Sequence, residues 1–241
     1  MINILIPAMG NSTFFKDYYF PKMMLEINGE TVLEKIIHNF DSLRSKHFIF
    51  VLNNQECTKF HLDQSVKIAT ESNCSNILLK KQTGGALCTC LLAVDYINNE
   101  TPLIIANSDQ IIDVDYNDVI NKFEAADLDA GVITFSNIHP RWSYVSIEEG
   151  LVVEAIDRRP VSKHAIAGFL YFKRGKDFVE AAKKGIIKES SENGVYNLSA
   201  AINEMILMQK KVGYYEVEKD SYHSFYAPEK VREYEKRIAN T

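Results

Sequence analysis

The sequence predicts an α/β fold with a doubly wound, mainly parallel sheet. Short apolar segments alternate with segments whose apolar residues recur at helical spacing, as βαβ units require. Several of these apolar segments are continuous runs, which is typical of strands buried on both faces. The chain has 241 residues, of which 46% are hydrophobic and 24% charged, so it is long enough for one large α/β domain.

The first half of the chain alternates strands with helices. Ile2–Pro7 is the first predicted strand, and Asn28-Gly29 turns the chain toward a helix with Thr31 as its N-cap. The segment from about Gln55 to Ser72 is polar and predicted to be helical. The other predicted elements of this half are strands at His47–Leu52, Asn76–Lys80 and Pro102–Ala106, and a helix from Gly84 to about Ile97.

The second half has shorter polar connections, which indicate more antiparallel pairing. Its predicted strands are Ala130–Phe135, Tyr144–Ile147, Leu151–Ile156, Ile166–Phe172 and Val212–Val217, and its predicted helices are Gly175–Ile187, Val195–Gln209 and a last one after Pro228. No repeat, low-complexity segment or linker interrupts this order. The sequence therefore predicts a single domain over residues 1–241.

Composition argues against several classes of protein. The net charge is -5 and no basic block is present, which disfavours a nucleic-acid partner. Met1–Ile4 lacks the charged start of a signal peptide, and no apolar run approaches the roughly 20 residues that span a bilayer. Cys57, Cys74, Cys88 and Cys90 lack zinc-ligand or CxxC spacing. We expect a cytoplasmic protein with reduced thiols and no membrane partner.

Asp109 and Lys22 are the sharpest candidates for chemistry. Asp109 follows the strand Pro102–Ala106, at the sheet edge where ligands of α/β proteins bind, and Mg²⁺ prefers carboxylate oxygen. The alternative is an ordinary turn residue. Pro21 restricts the backbone next to Lys22, and a positioned cation near a strand-end loop suits a polyphosphate. The alternative is a surface lysine.

Asp113 and Asp115 have the spacing of the DxD motif, with which many glycosyltransferases hold a metal and a nucleotide-sugar. Asp115 also fits an N-cap for a helix through Val119 and Phe123. The capping interpretation is favoured, because it needs only local hydrogen bonding.

Three further loops contain candidate ligand-binding residues. Gly84-Gly85 allows close backbone approach to a flat or charged group, and the Gln82 amide can pair with a base edge. A tight strand-to-helix turn is the alternative. Arg141–Tyr144 and Asp157–Pro160 place cations and aromatic residues beside predicted strands, where arginine can bind phosphate in bidentate fashion.

Taken in this order, the segments resemble the sugar nucleotidyltransferases, also called nucleoside-diphosphate-sugar pyrophosphorylases, over nearly the whole chain. The matching motifs are ILIPAMG (Ile4–Gly10), Pro21-Lys22, Gly84-Gly85-Ala86, ANSDQ (Ala106–Gln110), HPRWSY (His139–Tyr144), Arg158-Arg159-Pro160 and Ala167-Gly168. The resemblance implies a Rossmann-like mixed sheet of the nucleotidyltransferase or GT-A type. It also implies a nucleotide-binding half, residues 1–125, and an acceptor-binding half, residues 126–241.

The activity that the resemblance implies is attack of an acceptor phosphate oxygen on the α-phosphorus of an NTP, with release of pyrophosphate. Alignment and neutralisation of phosphate charge catalyse such a transfer. The implied partners are an NTP, with a weak preference for a pyrimidine, and a phosphorylated small metabolite such as a sugar 1-phosphate. The implied cofactor is Mg²⁺, and the implied pathway is surface polysaccharide or capsule synthesis. Relatives often self-associate, so a homo-oligomer is compatible with the resemblance.

The resemblance also implies roles for individual residues. Asp109 would hold Mg²⁺, Lys22 would face the phosphates, and Arg159 would hold the acceptor phosphate. Gln82 and Gly85 would read the base, and Gly168 would give room for the acceptor. The implied nucleotide-binding residues are Pro7, Ala8, Met9, Gly10, Gln82, Gly84, Gly85 and Ser108, and the implied acceptor-binding residues are Trp142, Tyr144, Arg158 and Gly168.

Two departures from the family pattern affect the expected activity. The loop Gly10–Phe15 lacks the arginine that grips the triphosphate in the family, and Lys16 is a candidate substitute. Ser224 stands where the family has a second metal-binding aspartate, with Asp220 or His223 as alternatives. Each lost charge-assisted contact costs about 1.5–3 kcal/mol. A non-catalytic relative that binds a nucleotide or nucleotide-sugar, and a GT-A glycosyltransferase, are therefore the competing hypotheses.

Overall fold

The computed structural model describes residues 1–10, 13–191 and 193–239. At the centre of the fold is a mixed sheet of nine strands, with helices on both faces. The strands of the whole fold are β1 Ile2–Ala8, β2 Glu26–Ile27, β3 Glu30–Thr31, β4 Lys46–Asn53, β5 Cys74–Leu79, β6 Leu103–Ala106, β7 Gln110–Ile112, β8 Ala130–Ser136, β9 Tyr144–Glu148, β10 Leu151–Ile156, β11 His164–Phe172, β12 Val212–Val217 and β13 Tyr222–Ser224. The helices are α1 Val32–His38, α2 Asn54–Phe60, α3 Leu62–Ala69, α4 Ala86–Leu91, α5 Val94–Ile97, α6 Tyr116–Ala125, α7 Gly175–Ile187, α8 Leu198–Leu207 and α9 Pro228–Ile238.

The strand order of the large sheet is β10-β9-β11-β6-β1-β4-β5, and β8 joins β11 to β12. β1 pairs in parallel with β4 and β6, and β4 pairs in parallel with β5. β11 pairs antiparallel with β6, β8 and β9. The predicted doubly wound, mainly parallel α/β fold is therefore confirmed, including the greater share of antiparallel pairs in the second half. Two small ladders, β2–β3 and β7–β13, lie outside the large sheet.

The core has one layer on each face of the sheet, because successive strand side chains point to opposite faces. Ile4 and Ile6 of β1 belong to the layer that packs under α1, α3 and α6. Leu5 of the same strand belongs to the layer that packs under α4, α7 and α8. All three side chains are fully buried. A strand buried on both faces explains the continuous apolar run at the start of the chain.

Two predicted helices are each divided in two. The single helix expected from about Gln55 to Ser72 is wrong, because His61 adopts the left-handed region (φ 56°) and separates α2 from α3. The helix expected from Gly84 to Ile97 is likewise interrupted after Leu91, and α5 begins at Val94. None of the helices in the described ranges has the length and apolar character needed to cross a membrane.

Candidate functional site

Lys22 and Asp109 form an ion pair shortly after the carboxyl end of β6. Lys22 Nζ donates to Asp109 Oδ2 at 2.6 Å, and the two side chains are 16% and 23% exposed. A short, charge-assisted hydrogen bond between partly buried groups is stronger than a pair on an open surface. The structure therefore brings together the cation and the carboxylate that the sequence singled out.

A rigid turn holds the backbone of Lys22. Pro21 is extended (φ -56°, ψ 149°), and Lys22 begins a 3-10 turn that ends at Met24. The Met24 amide donates to the Pro21 carbonyl at 2.9 Å, and the Met23 side chain is buried in the core. Because proline fixes its own φ and Met23 anchors the turn, the lysine side chain starts from a defined position.

Two distant parts of the chain hold the segment that contains Asp109. The Phe225 amide, just after β13, donates to the Asp109 carbonyl at 2.7 Å. Gln110 Nε2 donates to the carbonyls of Ala167 and Gly168 in β11 at 2.6 and 2.9 Å. The carboxylate therefore extends from backbone that is tied to the sheet and to the C-terminal part of the chain.

Gly168 is required by this arrangement. It has φ +62° at a register shift in β11 between Ile166 and Leu170. A Cβ at this position would collide with the side-chain amides of Asn107 and Gln110, which are hydrogen-bonded to each other at 3.2 Å. Packing inside the protein is thus sufficient to explain the glycine, and its role in making room for an acceptor stays a prediction.

A cavity of 320 Å³, here called the loop cavity, opens beside Lys22. It is lined by Ala8, Gly10, Lys16, Lys22, Lys59 and Ser108, together with Glu56 and several aromatic residues. Burial raises the pKa of the Glu56 carboxyl, and the nearby Lys22 charge partly offsets that rise. Three lysines around one carboxyl give the cavity an excess of positive charge, which suits an anion with several phosphates.

The carboxylate beside this cavity, Asp109, fits a magnesium ion that arrives with phosphates. Among residues 1–10, 13–191 and 193–239, no group of three or more His, Cys, Asp or Glu side chains is placed to hold a metal. Mg²⁺ is usually bound by one or two carboxylates, with phosphates and water completing its shell. A single partly buried carboxylate, Asp109, meets that requirement, whereas a metal held by protein ligands alone would need more.

Residues 18–223 match the sequence model of the family described as nucleotidyl transferase. The chain belongs to this family. The family match confirms the resemblance to nucleotidyltransferases that was drawn from the ordered motifs. No curated protein matches the chain by sequence.

Solved structures of similar fold include three nucleotidyl transferases. The nucleoside-diphosphate-sugar pyrophosphorylase from Vibrio cholerae RC9 is 19% identical, with a TM-score of 0.82 over 97% of this chain and 99% of its own. A UDP-glucose pyrophosphorylase complexed with UDP-glucose is 17% identical, with a TM-score of 0.77 over 100% and 99%. The inositol-1-phosphate CTP transferase from T. maritima is 14% identical, with a TM-score of 0.75 over 99% and 96%. At these identities the similarity establishes the shared fold.

The predicted nucleotide-binding residues of this nucleotidyl transferase divide into two groups. Ala8, Gly10 and Ser108 line the loop cavity. Pro7 lies within β1, and Met9 is buried in the core, so contact of these two residues with a nucleotide stays a prediction. In the loop Gly10–Phe15, which lacks the family's arginine, residues 11 and 12 lie outside the described residues, whereas Phe14 is exposed and Phe15 lines the loop cavity.

Gln82, Gly84 and Gly85 do not line the loop cavity. Gly85 has φ +133°, and a Cβ there would collide with the Tyr196 backbone. The Tyr196 amide also donates to the Gly84 carbonyl at 2.8 Å. The glycine pair therefore docks on the chain that precedes α8, while Gln82 is exposed in the loop after β5. Contact of these residues with a base stays a prediction.

The predicted acceptor-binding aromatic residues are both part of packed structure. Tyr144 is fully buried, and its hydroxyl donates to the His139 carbonyl at 2.6 Å. Trp142 is half-buried and packs edge-on against Phe135 and Tyr222, with ring centroids 5.5 and 5.4 Å away. Their hydrogen bonds and ring contacts hold the loop between β8 and β9.

Arg158 and Arg159 are exposed after β10, and neither lines the loop cavity. Arg158 has a left-handed backbone (φ 50°), with its Nε 3.5 Å from Asp157 Oδ2. Arg159 has no carboxylate within ion-pair distance in the described part of the chain. Asp157 itself is fixed, because it accepts hydrogen bonds from Ser143 and Asn197 at 2.6 and 2.8 Å. The binding of an acceptor phosphate by Arg159 stays a prediction.

The two carboxylates of the DxD motif serve different local structures. Asp115 caps α6 by accepting from the Asn117 amide at 2.8 Å, as the capping interpretation predicted. Asp113 Oδ2 lies 2.8 Å from His223 Nε2 and 3.5 Å from an Arg237 nitrogen.

The residues proposed near a second metal position lie on or beside β13. Ser224 pairs with Gln110, next to the contact between Phe225 and Asp109. Ser224 therefore lies close to the segment that contains Asp109. His223 is occupied with Asp113, and Asp220 is exposed in the 3-10 turn before β13.

Sequence reasoning missed Glu56 and Lys59 as residues of the loop cavity. Both belong to α2, which follows directly after β4, the strand that pairs with β1. Because the carboxyl ends of neighbouring parallel strands meet at one edge, the start of α2 was a foreseeable neighbour of the loop after β1. The polar composition of α2 gave no indication of which of its residues face that loop.

Proposed function

We propose that the chain transfers a nucleotidyl group from an NTP to a phosphorylated small metabolite, a sugar 1-phosphate in the first instance, and releases pyrophosphate. The observation that carries the proposal is the Lys22–Asp109 ion pair of 2.6 Å beside a cavity with three lysines. Family membership supports the reaction class. The names of the solved neighbours support nucleotide-sugar or related products.

The transfer follows from charge and alignment. The triphosphate would lie in the loop cavity, where Lys16, Lys22 and Lys59 offset its negative charge. Binding would separate Lys22 from Asp109, so that the ammonium faces the phosphates and the carboxylate faces the metal. When bound, Mg²⁺ would neutralise charge on the phosphate oxygens. The acceptor oxygen would then attack the α-phosphorus in line with the leaving pyrophosphate.

The finer parts of the proposal rest on the family resemblance. They are the preference for a pyrimidine, the roles of Arg159, Trp142 and Gly168 toward the acceptor, a function in surface polysaccharide synthesis in the cytoplasm, and self-association. Acceptors other than sugars, such as phosphocholine, belong to the same chemical class and are included in the test.

The experiment is a pyrophosphate-release assay with each NTP, Mg²⁺ and a panel of phosphorylated acceptors. We expect release that requires one NTP and one acceptor and that falls in Lys22→Ala. Lys183→Ala is the matched control, since Lys183 is exposed on α7. Tight nucleotide binding without release across the whole panel would instead identify a non-catalytic relative. Nucleotide-sugar turnover without pyrophosphate, lost in Asp113→Ala, would identify a glycosyltransferase.

A further inference from the structure

A second and larger cavity, of 520 Å³, lies between the end of β8, the loop before β9, β13 and α9. Its lining includes Arg141, Trp142, Lys219, Tyr222, Tyr226 and Tyr234, and we call it the C-terminal cavity. It shares no lining residue with the loop cavity. Its volume is in the range of small-molecule sites in proteins, about 300–1,000 Å³. It is therefore large enough for a ligand of its own.

The C-terminal cavity has unpaired positive charge. In the described ranges, no carboxylate lies within ion-pair distance of Arg141 or Lys219, both of which line it. The other lining cations have partners, because Lys230 pairs with Glu233 and Arg237 pairs with Asp113 outside the lining. One lining carboxylate, Asp220, has no side-chain ion pair in the same ranges. A local excess of cations in a chain of net charge -5 favours an anionic ligand.

The position of Arg141 specifies the kind of anion. Its guanidinium carbon lies 3.4 Å from the centroid of the Tyr226 ring, and Phe14 lies on the same guanidinium at 5.9 Å. A guanidinium stacked on an aromatic face is held in a fixed plane. Its nitrogens then form a preorganised fork that can bind the oxygens of a carboxylate or a phosphate. Because no carboxylate of the described residues lies within ion-pair distance, those nitrogens are available to a phosphate.

The aromatic wall is preformed. Tyr222 stacks on Phe135 with ring centroids 4.4 Å apart, and its hydroxyl donates to Gln110 Oε1 at 3.2 Å. Trp142 packs edge-on against Tyr222, and Tyr234 lies across the cavity on α9. A rigid set of rings beside two free cations suits a ligand that combines a flat ring with a phosphate.

We propose that the C-terminal cavity is a second ligand site, separate from the loop cavity, and that it binds a nucleoside monophosphate. Arg141 and Lys219 contact the phosphate, and the aromatic wall contacts the base. The cavity lining includes Trp142, a predicted acceptor contact, and Asp220, His223 and Ser224, which were weighed for a second metal position. The two cations that carry this proposal, Arg141 and Lys219, have no role in the proposed transfer reaction, so the site can be tested apart from it.

Trp142 supplies the measurement, because it is the chain's only tryptophan. The full chain is titrated with AMP, CMP, GMP and UMP, without Mg²⁺, while tryptophan fluorescence is followed. We expect saturable quenching by at least one of them, and no comparable change with the matching nucleoside. Silence with all four, or equal quenching by the nucleoside, contradicts the proposal.

Variants then locate the site. Lys219→Ala is expected to weaken binding about tenfold, the effect of losing a charge-assisted contact of about 1.5 kcal/mol. Arg141→Lys keeps the charge but loses the planar fork, so it is also expected to bind more weakly. Lys183→Ala and Lys22→Ala are expected to bind like the wild type. Loss of quenching in Lys22→Ala with normal quenching in Lys219→Ala would place the nucleotide in the loop cavity and overturn the proposal. Fluorescence does not measure transfer, so this outcome is independent of the pyrophosphate assay.

Discussion

The charges of Lys22 and Asp109 neutralise each other when no substrate is present. A substitution of either residue therefore also changes the charge balance of the other. Both charges are partly buried, so removing one partner leaves the other without its compensating charge. In the proposed reaction, a triphosphate with its metal would replace both halves of the pair at once. The pair is thus an expected resting arrangement of the site, and its opening is an expected part of nucleotide binding.

Replacing Lys22 by alanine should lower kcat/KM for pyrophosphate release by about a hundredfold or more, the usual effect of losing one preorganised charge contact to a reacting group. Lys183→Ala should stay near the wild type. Circular dichroism and thermal unfolding would establish that the variant is folded. Retention of activity within about twofold would remove Lys22 from the reaction.

Glu56 should oppose triphosphate binding when it is ionised. Burial raises the pKa of its carboxyl, so the folded protein holds this proton more tightly than the unfolded chain does, and ionisation costs stability as the pH rises through the folded pKa. Glu56→Gln should therefore bind NTP several-fold more tightly and be more stable at neutral pH. Its NTP affinity should also lose the part of the pH dependence that comes from this carboxyl. Calorimetric titrations of both proteins from pH 5 to pH 8 would measure this, and identical pH profiles would contradict it.

Among single residues, the sequence predicted those functional candidates whose position is set by residues next to them in the chain. Lys22 was found because Pro21 precedes it, and Asp109 because it follows a buried strand. Lys59 could not be found in this way, since its role depends on how α2 packs beside the loop after β1. The sequence also did not show that position 168 needs a glycine for packing. The side chains with which a Cβ there would collide, Asn107 and Gln110, come from a distant part of the chain.

At the scale of elements, the bulge in β11 couples the sheet to the site. Gly168→Ala should destabilise the protein by about 1–2 kcal/mol, because a left-handed backbone is unfavourable for alanine. It should also disturb the Gln110 hydrogen bonds and so move the segment that contains Asp109. We expect a larger loss in pyrophosphate release than the fraction of unfolded protein explains. Gly150→Ala is the matched control, because Gly150 also has a positive φ (81°) and open space around it. Equal activities of the two variants would show that the bulge does not position the site.

The first turn of α1 is a capping box that sets the entry to the first helix. The Glu34 amide donates to Thr31 Oγ1 at 3.2 Å, and the Thr31 amide donates to Glu34 Oε2 at 2.7 Å. Thr31→Ala should cost about 1 kcal/mol of unfolding free energy. The Thr31 hydroxyl also donates to Glu34 Oε2 at 2.7 Å, and this hydrogen bond, together with the one from the Thr31 amide, lowers the pKa of the Glu34 carboxyl.

Because the folded pKa is lowered, the contribution of Glu34 is present above its ordinary pKa and is lost as the pH falls through the folded value. The stability difference between wild type and Glu34→Gln should therefore shrink between about pH 5 and pH 3. Urea unfolding at several pH values would test this, and a difference that is constant over that range would contradict it.

Most strand and helix predictions were correct because periodicity and capping are local properties. Thr31 and Asp115 cap helices as expected, and Asn28 and Gly29 both have positive φ in the β2–β3 turn. The failures have a physical cause. His61 breaks a helix through a backbone conformation that its neighbours do not indicate, and β7 and β13 have only three residues each. Such short strands have no sequence pattern of their own, and they pair only because the fold brings two distant segments together.

At the scale of the whole molecule, the site is assembled across both halves of the sequence. β6 from the first half pairs with β11 from the second, so one sheet runs through residues of both. Lys22, Asp109, Gly168 and Phe225 meet at its edge although they are far apart in the chain. The alternation of strands and helices predicted the kind of sheet. The strand order was not predictable, because it depends on long-range pairing.

A crystal structure of the protein with Mg²⁺ and the NTP that supports pyrophosphate release would test the central claim most directly. We predict that the triphosphate occupies the loop cavity, that Lys22 Nζ moves from its position 2.6 Å from Asp109 Oδ2 to contact the phosphates, and that Asp109 faces the metal. A nucleotide bound elsewhere, with the Lys22–Asp109 pair still closed, would contradict the assignment of this site.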